Sequence, residues 1–530
     1  MTPAVALCAA LASAHAPPPS RPGPPALVVL IAIDQMRADY FDRFGAQFTG
    51  GLARLRLGST FFRHGMQDHA MTETAPGHST MLSGRDPAHT GIVSNTLGAA
   101  DPLAPVLGAP GEAGASPRRF LGTTLYDWML VADSNARVLS VSRKDRAAIF
   151  PIGRARGAVF WYAAGKFTTS RYYADSLPSW VTAYNARNGP AALAGAVWQP
   201  LLPDSAYPEP DSMAYENGGS DIAFPHSLTA QPDSAAARLT AFPWMDSLTL
   251  DFAFTGVRAL GLGHRDRPDL LSVSLSTTDA IGHAFGPDSK EIHDHLLRVD
   301  RWLGSFLDSL SAVVGPRGVV VVLTSDHGVT SFPEYLVGVR HRRAGRISLA
   351  DVSRTTGQRL AARYLTDFGL SFDNGLLSAD VAALRSRGVN VDSLATALAA
   401  SVRERPGVAE VFTPVTLARA GSRTGAAGRW HRLLPTGYGW LVAVALKPGY
   451  VWSDGKLSAE HGAMGPDDVE VPIAFMGPGI ARATVLRPVR TVDIAPTLAA
   501  YLDITPTEPL DGRPLPEVLT QSLAGRSGRR

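Results

Sequence analysis

The sequence of 530 residues contains one cysteine, Cys8, close to its start. A disulfide framework, a cysteine zinc site and a thiol nucleophile in the body of the chain are thereby excluded. Net charge is also scarce, with 50 Lys and Arg against 47 Asp and Glu, a formal +3. The basic residues are dispersed rather than clustered, so no nucleic acid is expected as a specific partner. No apolar run reaches the ~18 residues that read as a bilayer span, so no membrane span is expected either. Internal repeats and long low-complexity tracts are missing as well.

The residues that are present point to a folded, loop-rich protein. Hydrophobic residues make up 45% and charged residues 18%, which supplies a core and excludes a disordered chain. The 51 Gly and 40 Pro follow no strict period, which excludes collagen. The start of the chain runs Ala4 to Leu11 in apolar residues, then Ala12-Ser13-Ala14, then a Pro-rich stretch from Pro17 to Pro25. This resembles a secretory signal peptide, although no Lys or Arg precedes the apolar run. Residues 1–25 are therefore expected to be a signal peptide and linker, and the protein periplasmic or secreted. Oligomeric state is not legible.

Four short apolar runs follow: Ala26–Ile33, Leu270–Leu275, Gly318–Leu323 and Val471–Met476. Such runs read as strands covered on both faces, as in a parallel sheet flanked by helices. Ser289–Val313 carries a long amphipathic helical period between them. The alternation predicts an α/β doubly wound core with a mostly parallel sheet. Leu97–Arg118, rich in Gly, Pro and Ala, reads as a surface excursion. Residues 331–429 read as an inserted cap or accessory module. It contains a helix expected over Ser393–Arg405, capped by Asp392 or Ser393. The core is then expected over 26–330 and 430–530.

Acidic and His residues sit directly after the first three runs. Asp34 follows the first, Asp279 and His283 the second, and Asp326-His327 the third, while His461 shortly precedes the fourth. Ligand sites of open parallel sheets form at the carboxyl ends of strands, so these residues are expected to converge, with His461 reaching in from a loop. Three Asp and three His make two sets of three ligands, a donor set that suits Zn²⁺. Ligand type alone leaves Fe or Mn open at one site. The nucleophile candidate lies in Met71-Thr-Glu-Thr74-Ala-Pro-Gly-His78, where Pro76 suits a helix start. Thr74 reads equally as a hydroxyl nucleophile activated by a metal or as a helix cap. Thr72, Ser79 and Thr80 are rival hydroxyls on spacing.

In order and context, Asp34, Thr74, Asp279-x-x-x-His283, Asp326-His327-Gly328 and His461-Gly462 resemble the alkaline phosphatase superfamily. Within it, the chain is similar to phosphate-irrepressible bacterial alkaline phosphatases with a threonine nucleophile, relatives of the nucleotide pyrophosphatase/phosphodiesterases. The resemblance runs from about Val28 to Leu519, includes Val492-Asp-Ile-Ala-Pro-Thr497, and is weakest across 331–429. It implies two Zn²⁺ per chain. Asp279, His283 and His461 would hold one, and Asp34, Asp326 and His327 the other beside Thr74. It also implies Asn95 as a donor to a phosphoryl oxygen and Lys144-Asp-Arg146 as the Lys-x-Arg of the monoesterase branch. The implied activity is hydrolysis of small phosphate monoesters through a phosphothreonine intermediate. Lys144 and Arg146 suit a monoester dianion, whereas a diester puts an organic group where those cations reach. A phosphodiesterase or nucleotide pyrophosphatase on the same scaffold is the alternative. The Thr-Ala-Pro-Gly-His sequence lacks the Cys-x-Pro-x-Arg pattern of sulfatases.

Overall fold

A computed structural model describes residues 24–523, apart from 97, 188, 316, 349–353, 356, 357, 359–367, 422, 423 and 454. The expected signal peptide and Cys8 lie outside the described residues. At the centre is a ten-stranded sheet. Its order is Ala483–Val485, Thr60–Met66, Glu470–Met476, Val319–Thr324, Leu27–Ile33, Asp269–Leu275, Val138–Ser142, Ala158–Ala163, Lys166–Thr168, with Val489–Arg490 also paired to Thr60–Met66.

Leu27–Ile33 is the axis of this sheet, parallel to both Asp269–Leu275 and Val319–Thr324. Its side chains alternate between the two faces. Leu27, Val29, Ile31 and Ile33 enter one hydrophobic cluster, while Val28, Leu30 and Ala32 enter the other. A strand buried on both faces must be apolar throughout, which is why no polar residue interrupts this run. Each buried Val, Leu or Ile contributes roughly 1.5–3 kcal/mol of transfer free energy. The strand Ala158–Ala163 follows the same rule, with Val159 and Trp161 on one face and Phe160 and Tyr162 on the other. Its aromatics are core packing.

The fourth expected strand, Glu470–Met476, differs from its parallel reading. It pairs antiparallel with both Thr60–Met66 and Val319–Thr324. The long helix spans Lys290–Val314, capped by Ser289, whose Oγ accepts from Ile292 N. Residues 98–118 form no regular strand; Ala100 and Ala115 pair as an isolated bridge, and Asp101 accepts from Ser116 Oγ and Arg118 Nη1.

A second, antiparallel sheet has the order Ser371–Asp373, Leu376–Ser378, Trp440–Leu446, Val408–Phe412. It joins strands from the 331–429 segment to Trp440–Leu446, which lies past residue 429. The helix packed on it spans Val391–Arg403. Asn390 caps it by accepting from Ser393 N, in place of the expected Asp392 or Ser393. The capping side chain sits one residue ahead of the first helical N–H groups. Among the described residues, no helix is long and apolar enough to cross a membrane.

Candidate active site

The carboxyl ends of three adjacent strands bring the acidic and His residues together. Asp34 follows Ile33 directly, and Asp326-His327 closely follow Val319–Thr324. Asp279 and His283 lie one turn apart on the helix Thr277–Phe285, which begins after Leu275. His461 enters on the loop after Tyr450–Ser453. His283 Nε2 is 3.3 Å and His461 Nε2 is 3.7 Å from Asp279 Oδ1. His327 Nε2 is 3.6 Å from both Asp34 Oδ1 and Asp326 Oδ2. The rings of His327 and His461 stack at 3.8 Å.

Backbone carbonyls assign the tautomer of all three imidazoles. Nδ1–H donates from His283 to Ala459 O at 2.6 Å, from His327 to Gly328 O at 2.9 Å, and from His461 to Thr72 O at 2.7 Å. A carbonyl only accepts, so Nδ1 carries a proton in each ring, and whenever a ring is neutral its lone pair is on Nε2, facing the carboxylates. Asp34 Oδ1 and His327 Nε2 are buried and have no hydrogen-bond partner among the described residues, while Asp34 Oδ2 faces the Lys144 ammonium and Asp326 Oδ2 the His78 ring. Buried polar atoms without partners are costly. A cation bound by these atoms would satisfy them, and carboxylate oxygen with imidazole nitrogen is a donor set that zinc accepts. Two groups have all ligand atoms within 4.8 Å of one another, Asp279/His283/His461 and Asp34/Asp279/His327. The first matches an expected trio. In the second, Asp279 stands where Asp326 was expected, and Asp326 lies beside His327. A positive charge already occupies the gap between the carboxylates: Lys144 Nζ is 2.6 Å from Asp34 Oδ2 and 2.7 Å from Asp279 Oδ2.

The electrostatics follow from burial against charge. Burial raises Asp279, but Lys144 and His283 outweigh it and hold the carboxyl well below the usual range. Burial and the neighbouring Asp326 raise Asp34. Burial opposes the charged form of His283, yet Asp279 overcomes it and brings the ring to about 9. Burial, His327 and His283 push His461 well down.

Thr74 is the first residue of the helix Thr74–Met81, preceded by Glu73 in extended geometry. Gly77 lets this helix lie on the Asp326 loop, since a Cβ there would meet Asp326 O at 2.2 Å. Thr74 Oγ1 thus faces the site and accepts from Lys144 Nζ at 3.2 Å. Of the rival hydroxyls, Thr72 donates to Ala463 O, Ser79 to Pro76 O and Thr80 to Gly77 O. All three are engaged in holding backbone. Asn95 Oδ1 accepts from Ala75 N at 2.9 Å, which leaves its Nδ2 group as the free end beside Thr74. Arg146 is half-buried, with Nη1 3.5 Å from Asp145 Oδ1 and a buried, unpartnered Nε.

Sequence spacing did not reveal four supporting residues. Gln35, at φ 65°, donates its N–H to Asp326 Oδ1 and its side-chain amide to Asp279 Oδ1. A non-glycine residue in that region costs about 1–3 kcal/mol. Its position after Asp34 is the one signal the sequence offered. His78 lies 3.1 Å from Asp326 Oδ2 and bonds Ser274 Oγ through Nε2. Glu73 accepts from Asn95 N at 2.6 Å and from Asn374 Nδ2.

Residues 28–387 match the model of the family described as type I phosphodiesterase / nucleotide pyrophosphatase. Alkaline phosphatase PafA of Elizabethkingia meningoseptica is 28% identical over 93% of this chain and 94% of its own. Alkaline phosphatase PhoV of Synechococcus elongatus is 30% identical over 91% of this chain and 90% of its own. The crystal structure of wild-type PafA superimposes with a TM-score of 0.86, covering 93% of this chain and 99% of that one. The chain belongs to the type I phosphodiesterase / nucleotide pyrophosphatase family, and alkaline phosphatases are among its full-length relatives.

Proposed function

We propose that the protein is an alkaline phosphatase that hydrolyses small phosphate monoesters with Thr74 as nucleophile. The observation that carries this reading is the placement of Thr74 Oγ1. It lies 3.2 Å from the Lys144 ammonium, at the edge of three carboxylates and three imidazole Nε2 atoms. Asp279, His283 and His461 would hold one metal, and Asp34, Asp326 and His327 the other. Two zinc ions there would supply positive charge to phosphoryl oxygens and acidify a hydroxyl or water.

The chain's own residues account for the rest. Thr74 Oγ1 loses its proton and bonds to phosphorus while the P–O bond to the alcohol breaks and the alcohol leaves protonated. The resulting phosphothreonine is hydrolysed by water, which restores the Thr74 hydroxyl and releases phosphate. The Asn95 amide, held by the Ala75 N–H, donates to a phosphoryl oxygen. Lys144 and Arg146 neutralise the dianion, and such preorganised charge carries most of phosphoryl-transfer catalysis. The apolar leader ending in Ala12-Ser13-Ala14 supports export to the periplasm or medium.

The test is the ratio of rates on p-nitrophenyl phosphate and on its bis-ester. A large monoester preference is expected. A large diester preference would instead favour the phosphodiesterase alternative.

A further inference from the structure

The tip of the accessory sheet's first hairpin reaches the candidate site. Ser371–Asp373 and Leu376–Ser378 pair antiparallel with Asp373 opposite Leu376, so Asn374 and Gly375 form a two-residue turn. Both have positive φ, 34° and 95°. That is the combination a two-residue hairpin of primed type requires, and Asn-Gly is its preferred sequence. The turn places the Asn374 side chain between two segments of the site. Its Nδ2 donates to Glu73 Oε1. Its Cγ also lies where a Cβ on Gly462 would approach to 2.8 Å, so the glycine after His461 makes room for it.

Glu73 passes this contact on. Its side chain is buried, and its other oxygen, Oε2, accepts the Asn95 N–H at 2.6 Å. Asn95 in turn holds the Ala75 N–H through Oδ1 at 2.9 Å. The chain Asn374–Glu73–Asn95–Ala75 thus runs from the hairpin tip to the residue after Thr74, and each link is a directed hydrogen bond. Glu73 has few rotamers open to it once both oxygens are occupied. With Asn374 removed, one carboxylate oxygen is left without its donor and the carboxyl can turn away from Asn95.

We propose that Asn374 is a positioning residue for Asn95, acting through Glu73, so that the accessory module sets the aim of the phosphoryl-binding amide. This rests on the reading of Asn95 as a phosphoryl donor given above. The role is one of orientation, since nothing places Asn374 against substrate.

The test uses the zinc-loaded full-length protein and p-nitrophenyl phosphate. Four proteins are compared: the wild type, Asn374→Gly, Asn95→Ala and the double variant. Asn374→Gly keeps the turn, because glycine adopts positive φ freely. The expected result is a loss in kcat/KM of about tenfold for Asn374→Gly alone and less than about twofold in the Asn95→Ala background, with metal content unchanged. Asn374→Asp also keeps the turn but sets a carboxylate against Glu73, and is expected to lose more than Asn374→Gly. Equal losses in both backgrounds, no loss in the single variant, or a loss of metal would each overturn the proposal. If Asn95→Ala itself left kcat/KM unchanged, the reading of Asn95 would fail with it. If Asn95→Ala cost activity and Asn374→Gly were additive, only the positioning role would fail.

Discussion

Two clusters of carboxylates and His residues are wired in opposite ways. In the candidate site, each of three imidazoles gives its Nδ1–H to a backbone carbonyl and keeps Nε2 for the carboxylates. In the second cluster, both nitrogens of His226 face carboxylates: Nε2 is 3.0 Å from Glu291 Oε1, and Nδ1 is 3.2 Å from Asp221 Oδ1. A ring used on both sides can neutralise acid but has no lone pair aimed at an empty position. The first arrangement suits a metal and the second suits an ion pair that ties the segment around Glu216 to the long helix. Residue type is similar in the two clusters, and the difference lies in what holds the other nitrogen.

Thr74→Ala sharpens this contrast most. It is expected to lower kcat on a phosphate monoester on the order of 10⁴-fold or more, measured by steady-state kinetics. His226→Gln, in the second cluster, is expected to leave kcat within about twofold, which is the scale of a substitution remote from the chemistry. Lys144→Ala comes next, with an expected loss of about a hundredfold on the monoester and a clearly smaller loss on the bis-ester. Equal losses on both esters would detach Lys144 from dianion binding. Metal content gives the third comparison. Elemental analysis of purified His461→Ala is expected to find less zinc than in the wild type, and of His226→Gln the same amount. A zinc loss in His226→Gln would break the distinction between the clusters.

The smallest effect concerns stability. Burial first, then the neighbouring Glu291 and Asp211 carboxylates, raise Glu216 to about 8 against an ordinary value of 4.5. A carboxyl raised in the folded state stabilises the fold least when it must ionise. Its favourable contribution is complete below pH 4.5 and is lost as pH rises through 8. Glu216→Gln keeps an acceptor for Met213 N and removes that ionisation. Its Tm is therefore expected to exceed that of the wild type by about 2–4 °C at pH 9 and to match it near pH 5, read by thermal unfolding at both values. An equal shift at both pH values would mean that packing rather than charge is responsible.

Much of the sheet was legible, because a strand buried on both faces leaves an apolar run that a short window detects. Direction was not legible. Glu470–Met476 has the same apolar character as its parallel neighbours, yet it runs the other way, since burial constrains side chains and not chain polarity. Nothing in the composition of Trp440–Leu446 marks which sheet it joins, for a related reason. The site residues were legible where they are Asp or His next to a strand end. Gln35, Glu73 and Asn374 escaped because their roles come from backbone geometry, a left-handed φ or a hairpin tip, that brings distant segments together. Besides the place of Gln35 after Asp34, the Asn374-Gly375 pair is a written signal, and it marks a turn without saying what the turn touches.

The most direct test of the account is the paired rate comparison on zinc-loaded protein, with p-nitrophenyl phosphate against bis-p-nitrophenyl phosphate. The account predicts a kcat/KM ratio that strongly favours the monoester and falls steeply in Lys144→Ala. A ratio that favours the bis-ester would leave the metal-ligand geometry standing and contradict the assignment of Lys144 and Arg146 to a phosphate dianion.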